Sequence, residues 1–178
     1  MTTPKDLAPL KLQGVCIVDK IKYTDGHVET MERDHNLVVN SVLPLILALL
    51  GNNPSYTGIQ YWAVGSGSST WDTSQPEPEL TETQLTNELG RITVDPSNIY
   101  FVDDDTFEKI EGTSNTLEIK TTFGLQDCNG TWREFALFGG NATEDINTGV
   151  MINKKHHAVL TKTSDMEVER TMRFVISF

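Results

Sequence analysis

His35-Asn36-Leu37-Val38-Val39-Asn40-Ser41-Val42-Leu43-Pro44-Leu45-Ile46-Leu47-Ala48-Leu49-Leu50-Gly51 is the stretch whose reading decides the fold. From Val42 to Leu50 every residue is apolar, so a helix here has no polar face to offer to water. A helix apolar all round belongs inside a structure. Ser41 or Asn40 is placed to act as N-cap, Pro44 is tolerated in the first turn, and Gly51-Asn52-Asn53-Pro54 is a stop. At about 1.5 Å per residue the helix is about 12–15 Å long, half of what crossing a bilayer needs. The expectation is a short buried helix, about 41–51, with a β-rich chain wrapped around it and no membrane association.

The totals agree with one folded domain. The chain has 178 residues, enough for a sizeable core, and its 38% of hydrophobic residues fall in ordered clusters. A net charge of −11 excludes a phosphate-backbone binder, because nucleic-acid affinity rests on clustered Lys and Arg. The one local basic run is Lys154-Lys155-His156-His157. Met1 to Asp6 lacks the apolar core of a secretory signal. Cys16 sits in an apolar run and reads as a small buried hydrophobe, while Cys128 precedes a turn. With no CxxC spacing the pair suits synthesis in a reducing cytosol.

Outward from the helix, strand signals dominate. Residues 1–9, with two prolines, read as a flexible arm, and 10–178 as a single β-rich domain. Leu10 to Tyr23 alternates in part, broken at Gly14 by a bulge. Asp25-Gly26 and Asn129-Gly130 are hairpin-turn signals of the type I′ kind. Ile59 to Val64 is an apolar strand ending in Gly65-Ser66-Gly67, a close-packed turn that needs glycine and lacks the Gly-Lys-Ser/Thr of a phosphate loop. Gln75-Pro76-Glu77-Pro78-Glu79 must be an exposed loop. Leu85 and Leu89 stand four apart before Gly90, which predicts a second short helix over about 82–89. From Ile92 onward only strands follow, the last third pairing Gly149–Leu160 with Met166–Phe178 across Thr163-Ser164-Asp165. In that last strand Met172, Phe174, Ile176 and Phe178 alternate as apolar residues. The fold class is mainly β, an antiparallel sandwich or barrel-like domain with two short helices.

Few residues point to chemistry. Glu88, Arg91 and Glu134 are charged within packable segments and read as a structural ion pair, locking the Leu85 helix to the Trp132 strand through bidentate hydrogen bonds. A glycosidase pair of carboxylates would need a sugar platform that nothing nearby supplies. Adjacent strand residues face opposite ways, so His156 and His157 cannot share a metal ion and read as a solvated strand edge. Asp103-Asp104-Asp105 lacks the spacing of a calcium loop and reads as a solvated turn. Val64-Gly65-Ser66-Gly67 has no nucleophile-elbow context. No catalytic residue, metal or cofactor is expected. Trp71, in a Gly/Ser/Pro loop, is either an interface anchor or a lid on the core.

Taken in order, five pieces resemble tailed-bacteriophage virion proteins of the tail and baseplate region, of the tail-fibre-like or tail structural kind. They are Asp25-Gly26 leading to His35–Asn40 and the apolar helix, Ala63–Gly67, Leu85–Arg91, Asn129–Phe138, and Leu160–Asp165 before the last strand. The likeness runs from Gly26 onward. It departs at Phe135 and Ala136, where a smaller, glycine-containing pattern is expected, and at Asp103–Ser114, a local elaboration. The resemblance implies a non-enzymatic structural protein of the virion, made in the host cytoplasm, whose partners are other virion proteins and copies of itself in a symmetric ring or trimer. Docking candidates are the arm, with Pro4, Leu7 and Pro9, and the loop Ser66–Thr81, with Trp71, Pro76 and Pro78. The rival expectation is a carbohydrate-binding receptor-recognition module at a fibre tip.

Overall fold

The computed structural model describes residues 11–33 and 35–177. In chain order its elements are β1 (Lys11–Tyr23), β2 (Val28–Arg33), β3 (Leu37–Val38), α1 (Val42–Leu50), β4 (Thr57–Gly65), β5 (Glu88–Thr93), β6 (Ile99–Val102), β7 (Thr116–Phe123), β8 (Gly130–Gly140), β9 (Val150–Met151), β10 (Asn153–Lys162) and β11 (Met166–Ser177). Single 3-10 turns occur at Ser69–Asp72 and Pro96–Asn98. The strands form two antiparallel sheets, one ordered β2-β1-β11-β7-β6 and the other β3-β10-β8-β4-β5 with β9 added to β8. They stack as a sandwich rather than closing into a barrel.

Alternation builds the space between the sheets. Ile17 and Ile21 of β1, Ile119 and Phe123 of β7, and Val168, Met172 and Phe174 of β11 project from one sheet. Trp62 and Val64 of β4 and Trp132, Phe135 and Leu137 of β8 meet them from the other. Phe123 and Trp132 touch edge to face with ring centres 4.9 Å apart. At about 25 cal/mol per Å² of apolar surface removed from water, such side chains are the main stabilising term. The second sheet also carries a smaller apolar layer on its outer face, Ala63, Leu85, Ala136, Phe138 and Met151, covered by neighbouring loops.

Several expectations need correcting. α1 forms where expected, but it is not swallowed by strands: only Val42 and Leu45 are buried. Ser41 stands at the N-cap, yet its hydroxyl donates to the Met151 carbonyl instead of capping. At the other end Asn52, not Gly51, takes the left-handed conformation, with φ +52°. The second helix is absent. Thr86 and Asn87 give their N–H groups to the Glu134 carboxylate rather than to helical carbonyls, and β5 has begun by Glu88. The threonine-rich run of Thr81, Thr83 and Thr86 has little helical preference to resist this.

The hairpins were over-read as well. β1 and β2 do form one, but only Gly26 has positive φ, so the turn is not type I′. The turns at Asp127–Gly130 and Thr163–Asp165 make no hairpins. Each carries the chain from one sheet to the other, so β7 pairs with β11 while β8 pairs with β10. The register break in β1 falls between Val15 and Ile17, while Gly14 itself closes a bridge to Asn36. The arm with Pro4, Leu7 and Pro9, the Cys16 side chain and Phe178 lie outside the described residues.

Candidate docking surface

α1 packs beside β4 and β9, and its two sides differ. Val42 and Leu45 are 6% and 3% exposed and join the core between the sheets. Leu43, Leu47 and Leu50 are 59%, 70% and 75% exposed. With Ile46 they share one outward arc, because residues three and four apart stack on one helix face. The all-round apolar pattern therefore serves two faces rather than one burial site.

Two depressions flank the helix. The larger, of about 630 Å³, runs between α1 and the sheets, with Ile46 and Leu49 on one wall and Ile59, Ile99, Phe101 and Phe174 opposite. The smaller, of about 460 Å³, lies on the other side, between Pro44, Ala48, Tyr56 and Val150. Among the described residues, no Asp, Glu, Lys, Arg or His lines either one. In a chain with 22% charged residues that is a neutral patch set in an acidic surface.

The three charged residues singled out in the sequence sit on the outer face of the second sheet, and they do not act as one unit. Arg91 and Glu88 form a bidentate pair, Nε to Oε1 at 2.7 Å and Nη2 to Oε2 at 2.8 Å, with both side chains buried. Arg91 Nη1 also donates to the Thr148 carbonyl at 3.0 Å, and Asn147 N–H donates to Glu88, so the pair anchors the loop after β8. Glu134 instead faces Lys154 at 3.2 Å, and the two side chains are sealed from water. The pair thus ties β5 to a loop, and the carboxylate of β8 holds the chain at 86–87.

Trp71 is a lid on its own chain. Its ring lies over His156 with centres 4.0 Å apart and fills the space where a Gly67 side chain would stand. The Pro76 carbonyl bonds His156 Nδ1 at 2.7 Å, Pro78 is half-buried, and Arg133 grips Asp72. The loop 66–81 is therefore tied down at several points. The solvated-edge reading of the histidines is corrected, since both are buried. His157 faces the other way, against Phe135, as strand alternation requires. Burial lowers the pKa of both rings, and for His157 the Arg170 and Arg33 cations push it well down.

A cluster unnoticed in the sequence lies between the sheets. Asp19 of β1 accepts two bonds from Arg170 of β11, at 2.5 and 2.8 Å, and a third from Arg33 at 3.0 Å. Arg170 rests 4.4 Å from the centre of the Phe135 ring. Burial alone would raise the Asp19 carboxyl; the two guanidiniums outweigh it and hold the pKa at about 2. The signal was available, since Asp19 falls in the inward register of Ile17 and Ile21, and Arg170 in that of Val168 and Met172.

Among the described residues, no three His, Cys, Asp or Glu side chains converge to hold a metal ion. Asp103 accepts the N–H groups of Asp105 and Thr106, forming a solvated turn. Cys128 is a free thiol, pushed up to about 11 by burial and then by Asp127. Among those residues no helix is long and apolar enough to cross a membrane. Fold and surface together define an antiparallel β-sandwich whose buried acids, among the described residues, are spent on internal ion pairs and whose densest run of exposed apolar side chains lies on one helix. Comparison with protein-family models, with curated proteins and with solved structures gives no match.

Proposed function

We propose that this chain is a non-enzymatic structural protein of a tailed-phage virion, a component of tail, baseplate or fibre attachment that docks to neighbouring subunits. The observation that carries the reading is the α1 face: an uncharged helix, its leucines open to solvent, set beside two uncharged depressions. Surfaces of this kind mark contact sites with other macromolecules. The buried carboxylates support a structural use, because Asp19, Glu88, Glu118 and Glu134 are each paired with a cation. An acid held in this way is not poised for proton transfer. The sequence likeness to tail and baseplate proteins supplies the virion part of the proposal.

Tagging the chain in the genome that encodes it, and imaging purified particles by cryo-EM, tests the reading. Tag density at the tail or baseplate is the expected result. A tag left in the cleared lysate while particles assemble without it overturns the proposal.

A further inference from the structure

We infer that the outward stripe of α1 is the contact surface for a second copy of this chain, helix against helix across a symmetry axis. The inference builds on the assembly role proposed above and names the surface and the partner.

Spacing is the first argument. Leu43, Leu47 and Leu50 recur at i, i+4 and i+7, with Ile46 between them, on the side of the helix turned away from Val42 and Leu45. That is the repeat with which one helix presents ridges to another. A stripe meeting its own copy is self-complementary, as a two-fold contact requires. The inward stripe is already satisfied by the core, so among the described residues the outward one has no partner within the chain.

Charge argues for the same partner. Two copies of a chain at net charge −11 repel wherever their carboxylates face each other. Over Val42–Leu50, and among the described residues along both depressions beside it, there is no charge of either sign. This is the ground on which two acidic copies can approach without opposing like charges. A basic partner selected by charge would find no carboxylate there to pair with.

Area is the third argument. The exposed parts of Leu43, Ile46, Leu47 and Leu50 amount to on the order of 400 Å² of apolar surface, in the range of the largest patch on an ordinary monomer. Doubled across an axis, with the depression rims added, the contact approaches the roughly 1,000 Å² of a specific interface.

Sedimentation velocity on the full chain at about 100 µM tests this, comparing wild type with Leu47→Glu and with the milder Leu47→Gln. The expected wild-type species is a dimer of the 19.8 kDa chain. Leu47→Glu should weaken self-association at least about tenfold with an unchanged circular dichroism spectrum, since Leu47 supports nothing in the core. Leu47→Cys under oxidising conditions should give a covalent dimer that wild type does not. A wild-type mass of 19.8 kDa at that concentration overturns the inference, as does an oligomer indifferent to both Leu47 substitutions. A monomer that instead captures detergent micelles through α1 also overturns it, in favour of another occupant. Because these readouts are solution masses, either failure leaves the particle-imaging result to stand or fall by itself.

Discussion

Asp19 and Arg170 stand directly opposite each other in neighbouring antiparallel strands, bonded twice, with neither side chain reached by water. Arg33 reaches the same carboxylate from β2, two residues along from the strand partner Met31. One acid therefore organises two cations inside the sandwich.

That asymmetry sets an order of mutational costs. Asp19→Asn leaves two guanidiniums buried without a counter-charge, whereas Arg33→Met leaves the Arg170 pair intact. Breaking a buried pair costs about 3–5 kcal/mol. Urea denaturation should place Asp19→Asn at or above that range and Arg33→Met clearly below it. Equal losses for the two variants would show that the cluster is not organised by the acid.

Acid stability should fall in two windows. His157 is held neutral, its folded pKa well below the usual 6.5, so the unfolded chain takes up the proton first and stability drops as pH falls below about 6.5. His156 shifts the same way and adds to the loss. Asp19 is held at about 2, below its unfolded value of about 3.9, so its contribution is complete above that value and is lost as pH falls through about 2. His157→Phe should lower the slope of unfolding free energy below about pH 6.5 and leave the lower window unchanged. An unaltered slope would place the titration elsewhere.

Arg91→Ala removes the partner of a buried Glu88 and frees the Thr148 carbonyl, so a loss of about 3–5 kcal/mol is expected in a denaturant melt. Hydrogen exchange should speed up first over 141–149, the loop the pair anchors. A loss below about half a kcal/mol would mean that solvent reaches the pair.

Gly65→Ala, at the end of β4, is expected to be poorly tolerated, as the close-packed turn read from the sequence implies. A methyl group there would stand 2.7 Å from the Asn87 carbonyl oxygen and from Glu134 Oε1. Overpacking of this sort costs about 1–3 kcal/mol. Gly58→Ala meets no atom within 4 Å and serves as the control, with a melting temperature close to wild type.

The strands were legible because alternation is local. Met172 and Phe174, or Ile17 and Ile21, declare their inward face from sequence alone. Strand partnership beyond the β1–β2 hairpin was not legible, because Asn129-Gly130 looks the same whether the chain doubles back or crosses to the other sheet. The helix 82–89 failed for a related reason: Leu85 and Leu89 have helical spacing, but the carboxylate that claims the backbone at 86 and 87 comes from residue 134. Glu88–Arg91 could be read because its members are three residues apart, whereas Lys154 as the partner of Glu134 required the fold. The apolar composition of α1 was plain, but composition does not say whether another element of the same chain covers it.

The pairing of β1 with β11 joins residues 11–23 to 166–177. β1 must therefore wait for β11, and the sheet that holds both cannot be completed, nor the core beneath it sealed, until residues 166–177 are in place. Pairing at this sequence separation makes folding slow, with β1 and the leucines of α1 bare during the wait. A chaperone hold, or prompt capture by a sister chain, is the natural remedy for such an interval.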